Sequence, residues 1–256
     1  MRIVQLSDLH LSSQPLYGVV DTLAALDLAL QRLATLPAPD LLLLSGDLTS
    51  AGRRDEYALL RSLLAGLSVP CALLPGNHDD RDNLRTAFPE QAWAPPPLCC
   101  QRIDLAEGTL LLLDCIVPGE EWGEVAARQI DWLESACPHR RPVLLALHHP
   151  PFCVGIAGMD RIRCRGDAPL AAWLARHEQV EALLFGHVHR FVSTTFAGRP
   201  AIVAPSPAHQ IALQDGQLAY TLEPGAFLLH DWRPGQRLCS HYVPVVVSPT
   251  QCYGDG

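Results

Sequence analysis

Asp8-Leu9-His10, Gly46-Asp47, Gly76-Asn77-His78-Asp79, His148-His149-Pro150 and Gly186-His187-Val188-His189 are five short runs whose residue types could do chemistry. Each follows directly on a stretch of apolar residues. Singly, each has an ordinary explanation, because Gly, Asn and Asp favour turns through left-handed backbone angles or local hydrogen bonds. Together they resist that explanation, since six of the chain's eleven histidines fall inside them. Imidazole mixed with carboxylate suits zinc, manganese, iron or cobalt better than calcium, which prefers oxygen alone. One catalytic metal typically uses three protein ligands. The runs offer more donors than that, and such a set fits two metals sharing one carboxylate.

These side chains need elements that carry them to one place. The first half alternates short apolar runs at 3–6, 41–44, 71–74, 143–147 and 182–185, and two further strands near 101–105 and 110–114, with helix-like stretches. Residues 19–36 repeat apolar positions at helical spacing, and 55–67, 124–136 and 169–177 also suit helices. Beyond His189 the helical spacing stops, and 191–196, 201–204, 226–230 and 238–243 read as strands between Gly and Pro breakers. An alternating first half with a strand-rich end from about 190 predicts an α/β fold of two sheets with helices outside. If the strands bearing the five runs share one sheet and direction, their ends gather at one edge, where open α/β sheets usually place their sites. No internal repeat or linker divides the chain, so residues 1–256 are expected to form one domain.

Composition narrows the function classes. A net charge of −8 argues against a broad basic face for nucleic acid, although bound metals can reverse the sign locally. All 19 basic residues are Arg, and the absence of Lys removes a P-loop lysine and every Schiff-base mechanism. Nine scattered cysteines contain no Cys-x-x-Cys pair, and those beside apolar runs, such as Cys71 and Cys115, are expected to be buried reduced thiols. The opening "MRIVQLSD" lacks the pattern of a secretory segment, and no apolar run is long enough to span a bilayer. A cytoplasmic protein without membrane or nucleic-acid partners is expected.

The set D-x-H, G-D, G-N-H-D, H-H-P and G-H-x-H resembles the calcineurin-like metallophosphoesterase superfamily, from Asp8 to at least His189. "GDLTSAGRRDEY" and "LHHPPF" further resemble its branch of class III cyclic nucleotide phosphodiesterases and bacterial glycerophosphodiesterases. The resemblance implies a four-layer α/β/β/α sandwich of two mixed sheets. It implies that Asp8, His10 and His189 hold one metal and Asn77, His148 and His187 a second, with Asp47 bridging. The pair would be divalent or trivalent ions of manganese, iron, zinc or cobalt. His149 is expected to point away and pack, and His78 to act in catalysis without binding metal. Two divalent ions against the carboxylates Asp8 and Asp47 leave such a site positive and attractive to a phosphodiester. The implied reaction is in-line hydrolysis of a small diester by metal-activated water.

Substrate choice lies outside the ligands. Segments 12–20 with Tyr17, 152–166 with Arg161, Arg163 and Arg165, and 204–213 could line the pocket. "APSPAHQIAL" resembles a family loop near the metals, which makes His209 a substrate-binding candidate against the alternative of a surface His. The three arginines are more simply a solvated cluster. A phosphomonoesterase or nucleotide pyrophosphatase is the alternative activity. Pyrophosphatases of the lipid-A pathway carry Arg where His78 stands, which disfavours that branch. A non-catalytic scaffold is the alternative of another class, and the complete donor set argues against it. A homodimer or higher homo-oligomer is usual among similar enzymes.

Overall fold

The apolar runs become strands buried on both faces. The computed structural model describes residues 1–233, 235–249 and 251–253. In chain order the first elements are β1 (Arg2–Leu6), α1 (Thr22–Ala34), β2 (Leu41–Ser45), α2 (Arg54–Leu64), β3 (Cys71–Leu74) and α3 (Arg81–Ala87). Then come β4 (Gln101–Asp104), β5 (Thr109–Leu113), α4 (Ala127–Ala136), β6 (Val143–Leu147), α5 (Ala157–Arg161), α6 (Asp167–Arg176) and β7 (Val180–Phe185). The strand-rich end supplies β8 (Val192–Phe196), β9 (Arg199–Val203), β10 (Gln210–Ile211), β11 (Tyr220–Thr221), β12 (Ala226–Asp231) and β13 (Cys239–Pro244).

One sheet has the order β13-β12-β1-β2-β3 and the other β4-β5-β6-β7-β9-β8, with β10 and β11 forming a separate small pair. Strands β1, β2 and β3 run parallel, as do β5, β6, β7 and β9. Side-chain alternation explains the layers. In β2, Leu41 and Leu43 pack between the sheets with Leu144 and Ala146 of β6. Leu42 and Leu44 turn the other way, onto Leu26 of α1 and Leu60 of α2. In β6, Val143, Leu145 and Leu147 pack outward with Leu133 of α4 and Trp173 of α6. The result is the expected α/β/β/α sandwich. Both faces of these strands are covered, which is why they read as unbroken apolar runs rather than alternating ones.

One part of the sequence expectation is corrected. The strands that carry the five runs lie in two sheets rather than one, three in the first and two in the second. Their ends meet across the sandwich. Buried Gln5 of β1 ties the sheets together there, donating to Ser45 Oγ at 2.9 Å and to the Phe185 carbonyl of β7 at 3.0 Å. Helices α1, α2 and α4 are also shorter than their apolar spacing suggests, while α6 starts two residues earlier than expected. Helix α1 begins where Asp21 accepts a hydrogen bond from the Ala24 amide, which caps it. Asp114, which ends another apolar run, serves the structure: it forms a two-point ion pair with Arg81 at 2.6 and 2.8 Å, tying the start of α3 to the end of β5.

Candidate metal centre

Loop backbones pair beyond the strand ends and bring the donors together. Asp8 N bonds Gly46 O at 3.0 Å, His10 N bonds Asp47 O at 2.9 Å, and Gly186 N bonds His148 O at 2.9 Å. Three of the motif glycines are needed for this approach, Gly46, Gly76 and Gly186, and a Cβ on Gly76 would overlap Asp47. A Cβ on Gly46, whose φ is +104°, would overlap the His148 ring, and one on Gly186 would overlap Ser7 Oγ. The donors themselves are strained. Asp8, His10, Asp47, His187 and His189 all adopt positive φ, between +44° and +70°. Such angles cost about 1–3 kcal/mol per non-glycine residue and persist only where the surroundings over-determine them.

Two clusters result. Asp8, His10, Asp47 and His189 place ligand-type atoms within 4.8 Å of one another, and so do His148, His149 and His187. Asp47 lies between the clusters, its Oδ2 3.4 Å from His10 Nε2 and 3.4 Å from His148 Nε2. Asp8 Oδ1 is 3.4 Å from His189 Nε2 and 3.8 Å from His148 Nε2. The Nε2 atoms of His10 and His189 approach to 3.0 Å.

This donor set fits metal ions. Asn77 Oδ1, His148 Nε2, His187 Nε2, His189 Nδ1 and His209 Nδ1 are buried polar atoms with no hydrogen-bond partner, a cost that proteins normally avoid. His148 Nδ1 donates to the Ser45 carbonyl at 2.9 Å, so the lone pair of the neutral ring sits on Nε2, facing two carboxylates. A lone pair opposed to carboxylates is repulsive unless a proton or a metal cation stands between them, and a metal can take the proton's place.

The electrostatics agree. Burial works to lower His148, yet Asp47 and Asp8 push it up to about 10, so the pocket favours positive charge. Burial lifts the Asp8 carboxyl to about 7, with Asp47 adding to the rise. Burial would raise Asp47 too, but His148 and His10 hold it well below the usual carboxylate range. Burial brings His10 down to about 3 and pushes His187 and His189 well below their ordinary value. Those imidazoles are neutral at physiological pH, the state in which imidazole binds metal.

The remaining candidates fall around these clusters. His149 joins the second cluster, but both its nitrogens are engaged, Nε2 with the Glu121 carbonyl at 3.1 Å and Nδ1 with Cys115 Sγ at 3.5 Å. His78 is exposed at the mouth; its amide donates to Asp47 Oδ1 at 2.9 Å and its Nδ1 to the Ser50 carbonyl at 2.9 Å. That leaves Nε2 of His78 free. His209 is buried rather than a surface His, its ring 4.5 Å from that of His189. Arg163 donates to the Asp160 carbonyl and Arg165 stacks 3.4 Å over Trp122, so two of the three loop arginines already have protein partners.

Sequence reasoning missed Asp79. Its buried carboxylate accepts from the amides of Leu48, Thr49 and Gly76, from Thr49 Oγ1 and from Tyr57 OH, at 2.8–3.2 Å. It therefore locks the Asp47 loop to the Asn77 loop. The signal was present, since "NHD" follows an apolar run as "GD" does, but nothing marks an Asp as facing five donors. Asp79→Asn is expected to lower stability by about 2–4 kcal/mol, because an amide turned toward those donors leaves several unsatisfied. Urea unfolding measures this, and a loss below about 0.5 kcal/mol would assign the lock elsewhere.

Residues 1–191 match the calcineurin-like phosphoesterase family. The chain belongs to that family. It is 34% identical to a probable glycerophosphodiester phosphodiesterase GpdQ of Arcobacter nitrofigilis, over 100% of this chain and 98% of that protein. It is 30% identical to the glycerophosphodiester phosphodiesterase GpdQ of Enterobacter lignolyticus, covering 94% of this chain and 92% of the relative. With the 3′,5′-cyclic adenosine monophosphate phosphodiesterase CpdA of Pseudomonas aeruginosa it shares 32% identity over 86% of this chain and 80% of that one. A dimetal phosphatase from Danio rerio has the same fold, with a TM-score of 0.67 at 14% identity over 96% of each chain. This phosphoesterase chain has no helix among the described residues long and apolar enough to cross a membrane.

Proposed function

We propose that the protein is a dinuclear metal-dependent phosphodiesterase of small diesters, cyclic nucleotides or glycerophosphodiesters. One observation carries this: two clusters of buried donors adjoin, with Asp47 of the first 3.4 Å from His148 of the second, in a chain whose relatives are named as phosphodiesterases of both kinds. In this reading Asp8, His10 and His189 would hold one ion and Asn77, His148 and His187 the other, with Asp47 as the residue common to both. Manganese, iron, zinc or cobalt would supply Lewis acidity and water activation.

The chain's own residues do the rest. Ser45 fixes the tautomer of His148 through its carbonyl, and the His187 amide bonds both oxygens of Asp8 at 3.0 and 3.1 Å, orienting that carboxylate. His78, free at Nε2, donates a proton to the leaving alkoxide. Partial desolvation at the mouth works to lower His78, but Asp47, the Ser50 carbonyl and Asp79 raise it above its ordinary value, which favours its proton-bearing form. His209 contacts the substrate phosphate or its substituent. His149 holds the Glu121 carbonyl and packs against the ring of His187, 4.2 Å away.

We further take residues 1–256 as one domain, since the buried cluster between the sheets joins both halves of the chain. Nine free thiols support a cytoplasmic location. A homodimer or higher oligomer completes the reading.

Chelation should abolish turnover, and manganese, cobalt or zinc should restore it. Reconstitution should also raise thermal stability, by about 2.7 kcal/mol per bound ion at a hundredfold excess of metal over its Kd. Assay of the reconstituted protein on diesters and monoesters, with thermal unfolding of the apo and loaded forms, tests both. Full activity of a verified metal-free preparation would overturn the proposal.

A further inference from the structure

Tyr17 is an aromatic residue held where aromatic residues rarely sit. Its φ is +53°, in a tight turn closed by paired bonds between Leu16 and Val20, and its side chain is 66% exposed. Water gives no reason to expose a large ring at a strained position. The ring is not isolated: it stacks on Tyr220 at 4.6 Å with the planes 24° apart. Tyr220 belongs to β11, a different segment altogether, so two loops distant in sequence have been brought together to make this pair. Tyr220 covers one face of Tyr17, and exposure of two-thirds leaves the other face open.

The pair has a direction relative to the metal centre. His209 sits edge-on to both tyrosines, at 5.8 Å from Tyr17 and 5.7 Å from Tyr220. On its inner side His209 is 4.5 Å from His189 and 6.0 Å from His10. A continuous line of rings thus runs from the candidate metal ligands outward to the tyrosines. A phosphodiester held at the metals would project its substituent along that line. Glycerol has no flat face to use there, whereas a nucleobase does.

We propose that Tyr17 and Tyr220 form a stacking platform for the base of a nucleoside phosphodiester, so that among small diesters this site selects those with an aromatic ring beside the phosphate. The proposal rests on the phosphodiesterase reading above and adds a substrate class to it. Stacking on an aromatic side chain is tolerant of base identity because every base has a π-face. The platform therefore accepts adenine and guanine alike.

The test uses the full chain reconstituted with manganese and two substrates that differ only in the base. These are 3′,5′-cyclic AMP and methyl ribofuranoside 3′,5′-cyclic phosphate. The parent is expected to prefer the base-bearing diester in kcat/KM. In Tyr17→Ala and in Tyr220→Ala that preference should fall by about 5- to 100-fold, chiefly through KM, while Tyr17→Phe should retain it. A parent with no preference, or variants that lose the same factor on both substrates, would overturn the platform and leave the phosphodiesterase intact. Variants that keep the preference but drop to a smaller species in light scattering would overturn it too, assigning the tyrosines to contact between copies of the chain. A loaded parent that cleaves neither these diesters nor a glycerophosphodiester would instead bring down the underlying reading, a result of a different kind.

Discussion

Asp47→Ala is expected to lose metal from both positions and to lower turnover by at least about 10³-fold. The carboxylate stands between the clusters, 3.4 Å from His10 Nε2 on one side and from His148 Nε2 on the other. On the proposed ligand assignment, removing it takes one ligand from each ion and one of only two negative charges from the pair. Two cations close together repel, and the shared carboxylate offsets that repulsion. Metal catalysis of phosphoryl transfer contributes several kcal/mol, and each 1.36 kcal/mol is tenfold in rate, so a loss of about 10³ is a lower bound. Asp47→Asn keeps an oxygen for the His78 amide but not the charge, so it should retain the fold and lose metal affinity. By contrast His149→Ala, on the packing role proposed above, should leave two metals bound. Metal analysis after exhaustive dialysis separates these outcomes. Two ions per chain at the parent's affinity in Asp47→Ala would show that the bridge lies elsewhere.

The candidate site was legible because its chemistry is concentrated where strands end. An apolar strand buried on both faces must stop at a polar residue, and five of these strands stop at Asp, Asn or His. Which of the two sheets each strand joins was not legible. "LLLLS" of β2 and "VLLAL" of β6 are each covered on both faces, so neither carries a mark of the sheet it joins. Short elements escaped for a related reason. Helix α5 has 5 residues, and β10 and β11 have 2 each, too few for any periodicity to register. Yet the β10–β11 pair carries His209 and Tyr220 at its edge and so shapes the mouth of the site. Positive φ at Asp8, His10, Asp47, His187 and His189 was equally hidden. Asp and His enter the left-handed region more readily than most residues, but that tendency does not mark these five among the chain's other Asp and His; the approach of neighbouring loops selects them.

His78→Ala is expected to keep two metals per chain while lowering turnover by about 10²–10⁴-fold, the usual contribution of general acid–base catalysis. His78 follows Asn77 in the same turn, but His78 is exposed at the mouth whereas Asn77 Oδ1 is buried. Its ring is exposed at the mouth, 4.5 Å from that of His10 and edge-on to it, with Nδ1 tied to the Ser50 carbonyl. A His so held presents Nε2 in a fixed direction and can give its proton to a departing oxygen. The loss should therefore depend on the leaving group. Nitrophenolate departs without protonation, so a nitrophenyl diester should lose little. Glycerol or ribose oxygen departs poorly as alkoxide, so those diesters should lose the full factor. Loss of equal size on both would instead assign His78 to stabilising charge on the phosphoryl group. The backbone bond from His78 N to Asp47 Oδ1 survives the substitution, which protects the metal centre from the change. Metal analysis of the variant, alongside rates on one activated and one alkyl diester, decides the matter. A missing metal, or parental rates on both substrates, would remove His78 from the proton-donating role.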